Sequence, residues 1–123
     1  MLKKTLVLAA LSLGQTPSVI DGDTVRLTGV SIRLTDYDSP ELFHPKCPAE
    51  YARAQAAKRE LESIIGQVIL KLVPCATSNY GRLCARGTLP TGSLSEHMIA
   101  HGLAVPYICG PHSCPPKQSF CAR

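Results

Sequence analysis

Tryptophan is absent from the 123 residues, and only four tyrosines and two phenylalanines make up the aromatic complement. So few rings leave little with which to read individual nucleobases. No run of about 18 or more apolar residues occurs, so the mature chain carries no membrane-spanning helix signal. No linker-like stretch divides the sequence and no repeat or low-complexity tract recurs, so one domain with a single small core is expected. Charge of one sign is scarce too: the formal net charge is +4, and without Lys3 and Lys4 it is +2, 11 basic residues against 9 acidic ones. A global basic field is thereby excluded, and any anion must be met by local placement of arginines.

What is present begins with Lys3-Lys4 followed by Leu6 to Leu13, a charged start and a short apolar stretch with small residues at Ser12 and Gly14. This pattern predicts a signal peptide over residues 1–14, the competing reading being an amphiphilic first strand. Six cysteines follow, at 47, 75, 84, 109, 114 and 121. An even number in a short chain reads as a disulfide framework in an oxidising compartment, so export to a periplasm or the exterior is expected. Spacing alone does not choose among the pairings.

Residues 15–108 read as the domain and 109–123 as a Cys/Pro-rich tail, whose Pro111, Pro115 and Pro116 bar a helix. Val19 to Leu27, Val30 to Thr35 and Val68 to Val73 are strand-like runs, with Thr28-Gly29 as a tight turn. From Pro48 to Ile65 the apolar positions Ala54, Ala57, Leu61, Ile64 and Ile65 keep helical spacing, with Pro48 for the first turn and Gly66 as the stop. Arg53, Lys58, Arg59 and Glu62 are expected on its solvated face. Ser93 to Glu96 is a capping box, predicting a second helix from Leu94 to His101 that ends at Gly102. Arg82 to Leu89 supplies a strand to pair with Val68 to Val73. Together these predict an α+β fold, mainly β: a five-stranded barrel of the OB type with two helices.

Three islands of charge stand out: Asp21-Gly22-Asp23-Thr24, Arg33 with Asp38-Ser39-Pro40-Glu41, and Asn79-Tyr80-Gly81-Arg82. Two carboxylates for a hard cation, a third for a water and two guanidiniums for a phosphate are the parts of metal-assisted phosphodiester cleavage. In an extended chain Asp21 and Asp23 point the same way, and Gly22 permits close backbone approach, although the same residues taken alone compose a polar turn. Arg33 and Asp38, five apart, would face opposite sides of a regular strand, so a bulge or sharp twist is required between them. Tyr37 and Tyr51 are assigned to packing.

These islands, in this order and with these intervening helices, resemble the thermonuclease (staphylococcal nuclease-like) family from about Val19 to Tyr107, including Gly102-Leu103-Ala104. The resemblance implies a calcium-dependent nuclease that cleaves DNA and RNA to 3′-phosphates. It further implies that Asp23 and Asp38 bind calcium, that Ser39 offers its carbonyl and that Asp21 lies close by. Glu41 would be the base, Arg33 and Arg82 would hold the phosphate, and Tyr80, Tyr107 and Asn79 would contact the nucleotide. A monomer acting on preferentially single-stranded substrate is expected. The chain departs from the family at Ser39 in place of threonine, at Asn79 in place of a phosphate-contacting lysine, in a shorter loop before Tyr80, and in a tail where the family has a third helix. Disulfides would then stabilise the domain in that helix's stead, with Cys75 pairing Cys84 and the tail cysteines pairing each other or Cys47. The alternative is a non-catalytic OB-fold module that binds nucleic acid or peptide. His97 and His101 at i, i+4, and His112 between Cys109 and Cys114, are ligands of the right type for zinc, but their spacings match no closed structural zinc pattern, so surface histidines and disulfides are expected.

Overall fold

In a computed structural model of the chain, residues 15–76 and 82–122 are described. The expected signal segment and the nucleotide contacts Asn79 and Tyr80 lie outside these residues. The first strand-like run is broken into a hairpin of β1 (Ser18–Asp21) and β2 (Thr24–Leu27), which corrects the single extended run from Val19 to Leu27. The cause is local: Asp21 Oδ1 accepts the N–H of Asp23 at 3.1 Å, the short side chain turning the backbone back on itself. Thr28 and Gly29, with φ of 49° and 78°, form the expected turn into β3 (Val30–Leu34), both residues taking the left-handed values of a tight hairpin turn.

The chain then leaves the sheet at Asp36, where φ is 80°, to make β4 (Asp36–Asp38). This is the break that the spacing of Arg33 and Asp38 required. Helix α1 (Pro48–Ile64) follows, its N-terminus capped by Cys47, whose sulfur accepts the Glu50 N–H. Its end differs from expectation: Gly66 sits in a 3-10 turn, Ile65–Gln67, closed by Val68 N–H to Ile65 O, so no left-handed glycine stop forms.

Strands β5 (Ile69–Val73) and β6 (Leu83–Leu89) pair antiparallel, and β7 (Gly92–Ser93) adds to β6. Helix α2 (Leu94–Ala100) has the expected cap, Ser93 Oγ accepting Glu96 N–H at 3.0 Å, and the expected stop at Gly102, with φ of 70°. Strand β8 (Val105–Tyr107) pairs with β4, a two-stranded ladder that the sequence pattern did not reveal.

The main sheet has the order β1-β2-β3-β6-β5, antiparallel except for the parallel β3/β6 pair. Among the described residues no ladder joins β5 to β1, so the architecture is a small α+β fold, mainly β, with two helices and a mixed sheet. Ala54, Ala57 and Leu61 of α1 are buried at helical spacing, and the core also holds Val25, Ile32, Leu34, Tyr37, Leu70, Ala85, Leu94 and Met98.

All six cysteines are paired, Cys47–Cys121, Cys75–Cys84 and Cys109–Cys114, which suits an oxidising environment. The tail beyond Tyr107 contains no helix or strand among its described residues. It is anchored on α1 by Cys121, by buried Phe120, and by the Phe120 carbonyl, which accepts from Arg53. Arg53 therefore holds the tail rather than belonging to a purely solvated face. Among the described residues no helix is long and apolar enough to cross a membrane.

Candidate functional site

The hairpin turn at Gly22-Asp23 is pinned from two sides. Tyr37, buried in β4, donates its hydroxyl to the Gly22 carbonyl at 2.7 Å. Gly22 also packs so tightly that a Cβ there would come within 2.7 Å of Ser39 Oγ and 2.8 Å of Ala57 Cβ. The glycine thus serves closeness to Ser39 and α1. These contacts set Asp23 beside the Asp38-Ser39 segment, and the Ser39 N–H donates to Asp23 Oδ2 at 3.1 Å.

Arg33 reaches into the junction from β3, where it lies opposite Thr24. One guanidinium nitrogen is 2.8 Å from Asp23 Oδ2 and the other 3.3 Å from Asp38 Oδ1. The same fork donates to the carbonyls of Leu34 at 3.0 Å and Tyr37 at 3.3 Å. A planar five-donor group is what such a bridge between two carboxylates requires.

A residue that the sequence did not single out completes the cluster. Lys117 Nζ, from the tail, lies 3.4 Å from Asp38 Oδ1, 3.5 Å from Glu41 Oε1 and 6.0 Å from the centre of the Tyr107 ring. No local pattern around Lys117 signals this, because the Cys47–Cys121 bond is what carries the tail there. Glu41 is placed by another residue outside the charged islands, Glu50, whose buried carboxylate accepts the N–H groups of Glu41 at 3.1 Å and Lys46 at 2.8 Å.

Four carboxylates, Asp21, Asp23, Asp38 and Glu41, thus meet two cationic side chains. The imbalance shows in their protonation. Burial first, and then the Asp23 charge, push Asp21 up to about 7. Burial would also raise Asp23, but Arg33 and the hydrogen bonds from Asp21 and Ser39 hold it below the usual carboxylate range. Burial raises Asp38 despite Lys117 and Arg33. Lys117 is itself held above its ordinary value: burial works against its charge, but Asp38 and Glu41 outweigh it.

The donor set fits a hard divalent cation. Every candidate ligand atom is oxygen, the cluster carries excess negative charge, and buried Ser39 Oγ lies near Asp23 without a well-formed hydrogen bond of its own. Asp21, Asp23, Asp38 and Ser39 would hold such an ion.

Beside the cluster runs a cleft of about 680 Å³ lined by Arg33, Arg82, Arg86, Tyr107 and Lys117 among others. Arg33 and Lys117 face both the cleft and the carboxylates. The structure therefore brings together Asp21, Asp23, Arg33, Asp38, Ser39 and Glu41, and sets exposed Arg82 on the same cleft. Tyr107 lines it too, its hydroxyl being committed to the Pro115 carbonyl at 2.7 Å. Arg86 is engaged by Asp36 at 2.8 Å. Compared with family models and with curated proteins, this chain matches none.

Proposed function

We propose that this chain is a calcium-dependent nuclease of the thermonuclease type, hydrolysing phosphodiester bonds of DNA and RNA to 3′-phosphate ends on an OB-type scaffold. The observation that carries the reading is the Arg33 fork lying between Asp23 and Asp38 at the edge of a cleft that Arg82 also lines. The OB reading draws support from a three-stranded meander, a helix before β5, and the parallel return of β6 against β3.

Calcium, when bound, supplies positive charge against the phosphate oxygens. The chain's own groups do the rest. Arg33 and Arg82 hold the phosphate and stabilise the charge that builds on its equatorial oxygens, for which a planar fork is suited. Glu41 accepts the proton of the attacking water. Tyr107 offers a ring face to a base, a sequence-tolerant contact that favours single-stranded substrate. Lys117 adds a cation to the same cleft. The chain acts as an exported monomer, its disulfides standing in for a third helix.

The test is cleavage of a fluorophore-quencher single-stranded oligonucleotide by oxidised, folded protein in millimolar calcium and again in excess EGTA. Calcium-dependent signal abolished by chelation is expected. No signal from folded protein would overturn the nuclease and favour a binding module.

A further inference from the structure

A second cluster of ligand-type side chains lies outside the acidic site and shares no residue with it. Glu60 of α1, His97 of α2 and His101 at the C-cap of α2 each offer one ligand atom, and the three atoms lie within 4.8 Å of one another. His97 Nε2 is 2.7 Å from Glu60 Oε2. The two imidazoles, one helical turn apart, stack with centroids 4.1 Å apart and an interplanar angle of 26°. His101 Nδ1 is 2.8 Å from the His97 carbonyl, which can only accept, so this nitrogen is the donor and in the neutral imidazole Nε2 keeps its lone pair. Fixing an imidazole in this way through its other nitrogen is how a metal-binding histidine is oriented.

We propose that Glu60, His97 and His101 form a binding site for a borderline divalent cation of the zinc class. Two imidazoles and one carboxylate suit zinc, whereas calcium takes oxygen ligands. Around a tetrahedral zinc the ligand atoms stand roughly 3.3–3.5 Å apart, given metal–ligand distances of about 2.0–2.1 Å. The observed span is closed by rotating partly exposed side chains, with His97 and Glu60 at 22% and 27% exposure and His101 at the surface. Three protein ligands leave a fourth position for water. The cysteines are all spent in disulfides, so they neither contribute to this site nor compete for its ion. Bound there, zinc clamps α1 to α2 at the point where His97 and Glu60 already meet.

The experiment uses the metal-stripped, oxidised full chain near neutral pH, with millimolar calcium present throughout to fill the oxygen-donor cluster. Zinc is titrated by calorimetry, and cobalt(II) is added separately so that its visible absorption reports the ligand geometry. One equivalent of zinc is expected, with a four-coordinate cobalt spectrum and a raised melting temperature. Glu60→Gln and His101→Ala should each weaken zinc binding by about tenfold or more, and the His97→Ala/His101→Ala double variant should abolish the cobalt spectrum. Circular dichroism confirms that the variants fold, His101 being exposed and therefore dispensable to packing. Absence of zinc binding by the wild type would reduce the cluster to a hydrogen-bonded Glu60–His97 pair. Unchanged binding by the double variant would place the ion on His44, His112 or the acidic cluster. Either result overturns the proposal, and neither bears on calcium-dependent cleavage.

Discussion

The backbone N–H of Glu41 is held at 3.1 Å by the buried carboxylate of Glu50, one α1 turn in from the disulfide-bonded cap at Cys47. Glu50 is thus a positioning residue for the proposed base. Glu50→Gln presents an amide donor where two backbone donors need acceptors, and should cost about 1–3 kcal/mol of stability along with a fall in kcat. Glu41→Gln should lower kcat while leaving the melting temperature and calcium affinity in place. Thermal unfolding and single-turnover cleavage on both variants check this pair, and an unaltered Glu50→Gln melt would contradict it.

The two arginines should separate by readout. Arg82 is exposed, so Arg82→Ala should lose on the order of 10²–10³ in rate with no loss of stability, and Arg82→Lys should lose most activity despite its conserved charge. Arg33→Ala should lose rate and also about 3–5 kcal/mol of stability, because Asp23 and Asp38 are left without their shared partner. Near wild-type turnover in Arg82→Lys would remove it from the reaction.

Asp21 makes a pH prediction with a definite sign. Its folded pKa of about 7 lies above the ordinary 3.8, so across that interval the unfolded chain gives up the proton first. Its contribution therefore lowers stability as pH rises from about 4 to about 7 and then levels off. Asp23, held low, contributes in the opposite sense, and its stabilisation is lost only as acidification passes through its folded pKa. Asp21→Asn should make the decline between pH 4 and 7 shallower, leaving the part that Asp38, also raised by burial, contributes, measured by denaturant melts across that range. Identical slopes in the two proteins would refute it.

Lys117 competes with any cation for Asp38 and Glu41. Lys117→Met should tighten calcium binding roughly two- to fivefold, the scale of a partly exposed ion pair. Cys47→Ser/Cys121→Ser, which removes the tail's covalent anchor, should give part of that gain while costing about 4 kcal/mol of stability for the opened 74-residue loop. Calcium titrations of both variants test the link, and unchanged affinities would show that Lys117 is a bystander.

Both helices, the Ser93 cap and Gly102 stop of α2, and the strand runs of the main sheet were legible because periodicity and cap chemistry are local, whereas the Cys47 cap and the 3-10 end of α1 were not. The break between Arg33 and Asp38 was legible as a necessity from their odd spacing, but its agent, Asp36 in a left-handed conformation, was not, since aspartate is only one of several residues that tolerate it. At Gly22-Asp23 an aspartate that hydrogen-bonds two residues onward outcompetes the extended pattern of its neighbours. Lys117 could not be read at all, since its approach to Asp38 depends on a disulfide joining positions 74 apart. Glu60 was missed for a related reason, its histidine partners lying on another helix.

An interior strand of the main sheet is made late. β6 lies between β3 and β5, yet about 50 residues separate the end of β3 from its start, and at about 5–20 residues per second a ribosome takes several seconds to supply them. Throughout that interval the nascent meander presents the outer edge of β3, with Ile32 and Leu34, as an open template for another chain. A holdase that occupies this edge until Leu83–Leu89 emerges would raise the yield of folded protein more than one acting on the completed chain.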